Sequence, residues 1–136
     1  MIQLNINTNL GLLIMRLGVG GLMLIHGLSK IAGGISTVKY LVESAGLPSF
    51  FAYGVYIGEV IAPIMILIGF RTRLAAAIMA FNCLVAVIMY HPGGFLSLDA
   101  TGGWTLELIA LYLIGAVALF FTGSGRFAVS RKSIWD

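Results

Sequence analysis

The chain has 136 residues, of which 60 % are hydrophobic and only 10 % charged, with a formal net charge of +3 and a mean hydropathy of +1.04. Ordinary globular domains are about a quarter charged, so this composition excludes a water-soluble fold and makes the bilayer the solvent. The basic residues are scattered, with no basic stripe or aromatic interleaving, which excludes nucleic acid as a partner. The length holds one domain, residues 1–136, with no separate soluble module.

Residues Met1–Asn9 contain no Lys or Arg that could form a signal-peptide n-region, so the apolar run after them is read as a retained span over about 10–33. The connection that follows closes on the breaker Gly46-Leu47-Pro48. Within it, Thr37–Ser44 is predicted as a short interfacial helix with Tyr40, Leu41 and Ala45 toward lipid. A second span covers about 50–69. The turn Gly69-Phe70-Arg71-Thr72-Arg73 is so tight that the third span, about 74–90, must be its antiparallel neighbour. The Gly-rich stretch His91–Thr105, with Pro92 and Asp99, reads as an ordered loop before a fourth span over about 106–121. Each run is roughly 16 to 24 residues, enough to cross or nearly cross a hydrocarbon core of about 30 Å. Backbone groups inside that core must be bonded within their own segment. The fold class is therefore all-α, an integral membrane antiparallel four-helix bundle.

Arg71, Arg73, Arg126, Arg131 and Lys132 fall on one side of these spans, while Lys30 and Lys39 fall on the other. The bias predicts both termini in the cytoplasm and a multi-pass protein of the inner (plasma) membrane. Tyr53, Tyr90 and Trp104 then mark the outer interface and Trp135 the inner one.

Charges within spans are costly, about 2.5 to 3.5 kcal/mol each on insertion scales, and are normally paired or functional. On the first helix, His26 lies about 80° and Lys30 about 40° from Arg16, so the three share one side. Gly18, Gly21 and Gly27 allow a neighbour to approach closely. Glu59 lies near the middle of the second span, one turn before Pro63, which removes a backbone donor. Asn82 is mid-depth in the third, Glu107 opens the fourth, and Tyr56 and Tyr112 add hydroxyls. By depth, Glu59 is expected to pair with Arg16 or His26, and Glu107 with Lys30 or His26.

Four readings of this set stay open. The charges are structural ion pairs that fix helix register, although a buried pair is weak evidence for stability. Alternatively Arg16, His26, Lys30, Tyr56, Glu59, Asn82, Glu107 and Tyr112 line a pocket for a lipid-soluble molecule with carbonyl or hydroxyl oxygens, such as a quinone. A metal site from His26, Glu59, Glu107 and His91 lacks the usual ligand spacing. A proton relay or transporter is the fourth, and the lack of an internal repeat argues against a monomeric secondary transporter. Cys83, the only cysteine, excludes an intramolecular disulfide and a C-x-x-C redox pair, and is read as a small packing residue.

The stretch Arg16-Leu17-Gly18 through His26-Gly27-Leu28-Ser29-Lys30 resembles the opening of DoxX-family membrane proteins. The resemblance continues through Gly46-Leu47-Pro48, Gly58-Glu59, Gly69-Phe70-Arg71-Thr72-Arg73-Leu74-Ala75, Glu107 and Gly123-Ser124-Gly125-Arg126-Phe127. Ser124 stands where the family usually has proline, and Ser130 and Arg131 replace its acidic residue. The resemblance implies a four-helix inner-membrane protein, a quinone-handling or redox-associated accessory subunit of a membrane oxidoreductase. Because the chain shows no redox centre of its own, that role implies a bound quinone or a redox-protein partner subunit. The competing class is a non-enzymatic scaffold or assembly module, and a homodimer is compatible with so small a bundle.

Overall fold

The structure, a computed structural model, describes residues 2–90 and 93–136, with side chains from Asn7 onward. The described residues form five helices and no strand: α1 (Ile2–Gly33), α2 (Ser36–Ser44), α3 (Ser49–Ile68), α4 (Thr72–Met89) and α5 (Glu107–Thr122). Asn7–Gly33, α3 and α4 are long and apolar enough to cross a membrane, and α5, also apolar, has 16 residues. Helix α1 starts at Ile2 rather than near residue 10, because residues 2–9 contain no Gly or Pro to break it.

Among the long helices, α1 packs on α3 and α5, and α4 packs on the same two, so neighbours close a cycle. Small side chains permit this. Ala62 on α3, Ala75 and Ala76 on α4 and Ala116 on α5 are fully buried around Met23, Ile66, Met79 and Leu119. Large apolar residues instead point outward, among them Phe81, Ile88, Leu111 and Phe121. Such a surface would be an aggregation liability in water and is the natural one against acyl chains.

Helix α3 changes its winding along its length. It opens with a 3₁₀ turn (Ser49–Tyr53), passes through one α-helical turn (Gly54–Tyr56) and a π-helical stretch (Ile57–Ile61), then continues as α-helix (Ala62–Ile68). The π stretch ends two residues before Pro63, which has no N–H to donate to the carbonyl of Glu59 four residues back. Wider winding around Glu59 is the local consequence, and π-bulges of this kind concentrate at functional sites.

Two glycines set the spacing of α1 and α3. A Cβ at Gly20 would lie 3.1 Å from the carbonyl oxygen of Pro63, and one at Gly27 would collide with the backbone carbonyl of Glu59. Of the glycines singled out in the sequence, only Gly27 makes such an approach; Gly18 faces open space and Gly21 makes ordinary contact with Leu67. The reason is angular: Gly20 and Gly27, seven residues apart, lie on the seam toward α3, which Gly18 does not share.

The end of α3 shows how backbone groups are satisfied. Gly69, at φ 72°, closes a Schellman turn in which Phe70 N–H donates to Met65 O (2.9 Å) and Gly69 N–H to Ile66 O (3.2 Å). Val129 N–H donates to Ile68 O at 3.1 Å, and Ser130 N–H to Gly69 O at 3.0 Å. The segment after α5 therefore lies across the α3–α4 turn. Asp136 holds it there, accepting from Arg71 N–H, Ser133 N–H and the Ser130 hydroxyl, with the Arg71 guanidinium 3.7 Å away. At the opposite end, Asp99 accepts from Thr101 and from Gly103 N–H, and Leu98 bridges Trp104 in the ordered loop anticipated there.

Helix α2 covers the end of α3 with Val42, which packs with Ile35, Ala52 and Val55. Tyr40 is exposed as expected, but Leu41 turns inward onto a cavity rather than out to lipid. One turn separates it from Val38 on the same covered face.

Two outcomes follow. Gly27→Ala forces α1 away from the Glu59 backbone and lowers stability by about 1–3 kcal/mol, whereas Gly18→Ala is near neutral; thermal unfolding in detergent distinguishes them. Burial raises the Asp136 carboxyl pKa, but bonds from Ser133 and Ser130 and the Arg71 charge outweigh this and hold it below its ordinary value. Its contribution is complete above the ordinary aspartate value of about 3.9 and disappears as pH falls through the lower folded value. Trp135 fluorescence should therefore report undocking of the segment only at pH below about 4, and not between neutrality and that point.

Candidate functional site

The structure divides the intramembrane polar residues into two places. The first is Arg16, buried to 1 % exposure. Its Nε donates to Ile66 O (2.8 Å), Nη2 to Leu67 O (2.7 Å), and Nη1 to Ser124 O (3.0 Å) and Phe127 O (2.5 Å). Ile66 and Leu67 belong to the last turn of α3, whose carbonyls have no partners within the helix. A cation is favoured at this negative end of the helix dipole. Arg16 is thus a helix cap supplied by another helix, tied also to the segment after α5. Gly69 makes room for it, since a Cβ there would lie 2.7 Å from Nη2.

The second place lies about 21 Å along α1. Lys30 Nζ pairs with Glu59 Oε2, and Asn82 Nδ2 donates to Glu59 Oε1 at 3.3 Å. The Tyr56 hydroxyl donates to Lys30 O at 3.4 Å. The His26 ring meets the Tyr112 ring edge-on, centroids 5.8 Å apart. Gly58 admits the Asn82 side chain, which a Cβ at that position would strike.

The expected pairing of Glu59 with Arg16 or His26 is corrected to Lys30. With Gly27 seated on the Glu59 carbonyl, the side chain one turn further along α1 is Lys30, and its long stem reaches the carboxylate. Glu107 pairs with neither Lys30 nor His26; it folds back over Gly103 and is exposed.

His26, Lys30, Glu59, Asn82 and Tyr112 line one cavity of about 730 Å³, together with Cys83 and Thr105. The rest of its wall is mainly apolar, from Met23, Val38 and Leu41 on one side to Ile57, Phe81 and Ile109 on others. Arg16, Tyr56 and Glu107 do not line it. Cys83, anticipated as packing, is both core and cavity wall. The contribution of α2 had no sequence signal beyond its amphipathic pattern, which does not say what its apolar face covers. His91 lies outside the described residues, and among those described no three of His, Cys, Asp and Glu form a group able to hold a metal.

The model of the DoxX family matches residues 11–92. The chain is 31 % identical to the protein named "Putative oxidoreductase CatD" of Bacillus subtilis (strain 168), over 93 % of this chain and 89 % of that one. It is 30 % identical to "Inner membrane protein YphA" of Escherichia coli (strain K12), over 89 % of each. No solved structure matches it. Apolar helices of spanning length and this family match together define a membrane protein. The chain belongs to the DoxX family.

Replacing Arg16 by Lys should be nearly as damaging as Arg16→Met, because one ammonium cannot serve four carbonyls fixed by two segments. Bonds to charged groups are worth about 1.5–3 kcal/mol each, so both variants should unfold well below the wild-type temperature in detergent. Equal stability of Arg16→Lys and wild type would contradict the capping role.

Proposed function

We propose that this protein is a four-span antiparallel bundle of the inner membrane, with both termini cytoplasmic, that binds a lipid-soluble, oxygen-bearing molecule of the quinone class. In this reading it serves a membrane oxidoreductase as an accessory subunit. The carrying observation is the cavity near Glu59: a Lys–Glu pair, an Asn, a His and a Tyr on the wall of an otherwise largely apolar space. Its volume falls within the range of about 300–1,000 Å³ usual for small-molecule sites. The word oxidoreductase in the name of the Bacillus subtilis relative agrees with this reading.

Lys30 has three N–H groups, of which Glu59 engages one, so the others are available to a carbonyl oxygen. His26 and the Tyr112 hydroxyl offer further donors on the same wall. Asn82 holds the Glu59 carboxylate from the far side, leaving lone pairs that accept a proton from a ligand hydroxyl. Apolar walls receive the ring and the start of a side chain, while the chain continues among lipid tails. When bound, the quinone supplies the two-electron chemistry; the residues here bind it, orient its oxygens and hold a proton at Glu59.

The test is titration of the reconstituted protein with a short-chain quinone, read by thermal shift and intrinsic fluorescence. Saturable binding should weaken about tenfold or more in Lys30→Met and in Glu59→Gln, as loss of one hydrogen bond to a charged group implies. Glu107→Gln should bind as wild type. Absence of saturable binding by the wild-type protein would remove the proposal.

A further inference from the structure

The segment after α5 is held flat across the ends of the helices and carries its apolar and basic side chains outward. Its backbone is fixed by Arg16 at Ser124 and Phe127, by Ile68 and Gly69 at Val129 and Ser130, and by Arg73 N–H on Trp135 O at 2.9 Å. Arg126 N–H donates to Asn9 Oδ1 at 2.7 Å. So firmly pinned a segment could have turned its apolar residues inward. Instead Val129 is 75 % and Ile134 80 % exposed, with Phe127 and Trp135 about half exposed.

Between these residues stand Arg126, Arg131 and Lys132, all exposed, and none pairs with a carboxylate among the described residues. Asp136 is the only acidic residue in 123–136, and its carboxylate is already taken up by Arg71, Ser130 and Ser133. The surface thus alternates uncompensated cations with apolar and aromatic side chains at the margin of the membrane-crossing helices. That pattern matches the boundary between acyl chains and anionic head groups. A soluble acidic partner would use the cations but leave Val129 and Ile134 unexplained.

We infer that residues 123–136 form a docking surface for anionic phospholipids of the surrounding bilayer. Phe127, Val129, Ile134 and Trp135 enter the acyl boundary, and Arg126, Arg131 and Lys132 bind the phosphates. Arg16 and Asp136 hold the segment in register for this contact without touching lipid phosphate themselves. This surface lies at the other end of α1 from the cavity, so its test is independent of quinone binding.

The experiment uses the full chain in nanodiscs with Trp104→Phe, which leaves Trp135 as the reporter. Brominated phosphatidylglycerol or brominated phosphatidylcholine is added at equal mole fraction to otherwise identical mixed bilayers. Each basic residue near an anionic surface favours it by about fivefold, so quenching by the phosphatidylglycerol form should be clearly the stronger. The preference should vanish in the triple variant Arg126→Gln, Arg131→Gln, Lys132→Gln and weaken in high salt. Equal quenching by both lipids overturns the inference. No quenching by either means that a second copy or another protein covers the surface, and overturns it too. Should Trp104→Phe fail to fold, native mass spectrometry of the wild-type chain from mixed nanodiscs replaces it. Retained phosphatidylglycerol above its mole fraction then supports the inference, and retention in proportion opposes it.

Discussion

The seat of Gly27 on the Glu59 carbonyl fixes how α1 and α3 slide past one another, and most of the remaining geometry follows from it. The same seam brings Gly20 against Pro63 and places Arg16 beside the last carbonyls of α3. It also places Lys30 within reach of Glu59. One backbone approach thus sets the partners at both ends of a helix pair. Helices that bury only Ala, Leu and Ile against each other in lipid have no strong preference for one register. A glycine against a carbonyl does, because any slide by one residue meets a Cβ.

The low dielectric of the bilayer explains why the polar groups are divided as they are. A guanidinium buried with only carbonyl partners keeps its charge through four short bonds, and in return it satisfies backbone oxygens that lipid could not. Arg16 is therefore spent on structure. The Lys30–Glu59 pair differs. Lys30 is partly exposed and lines the same cavity as His26 and Tyr112. In the proposed function this ion pair beside an apolar volume is what a ligand meets, whereas the fully used cation Arg16 is a joint between segments.

The winding of α3 connects these two regions. Pro63 takes a donor from the Glu59 carbonyl, the helix widens to a π stretch, and the widened turn carries Gly58 and Glu59 toward Asn82 on α4. A regular α-helix over the same residues would place the carboxylate at a different angle. Below Pro63 the helix regains α geometry and delivers its last turn to Arg16 and to the residues after α5.

Sequence alone determined that the chain is helical and apolar enough for a membrane, where three helices of spanning length lie to within a few residues, and which ionisable residues they carry. Those properties are local: run length, the absence of Gly and Pro inside a run, and the cost of charge in hydrocarbon act on each segment separately. It also brought out the Gly69–Arg73 turn and the polar character of Lys30, Glu59 and Asn82. It did not determine which carboxylate meets which cation. Depth counted along separate spans carries an error of several residues, and one helical turn is enough to exchange His26 for Lys30 as the partner of Glu59. Only tertiary packing made that choice. The same packing showed Arg16 to be a cap, placed α2 over the cavity and pinned residues 123–136 across the helix ends. Each of these depends on backbone carbonyls and close glycine contacts between distant segments, and hydrophobic patterning carries no signal for either.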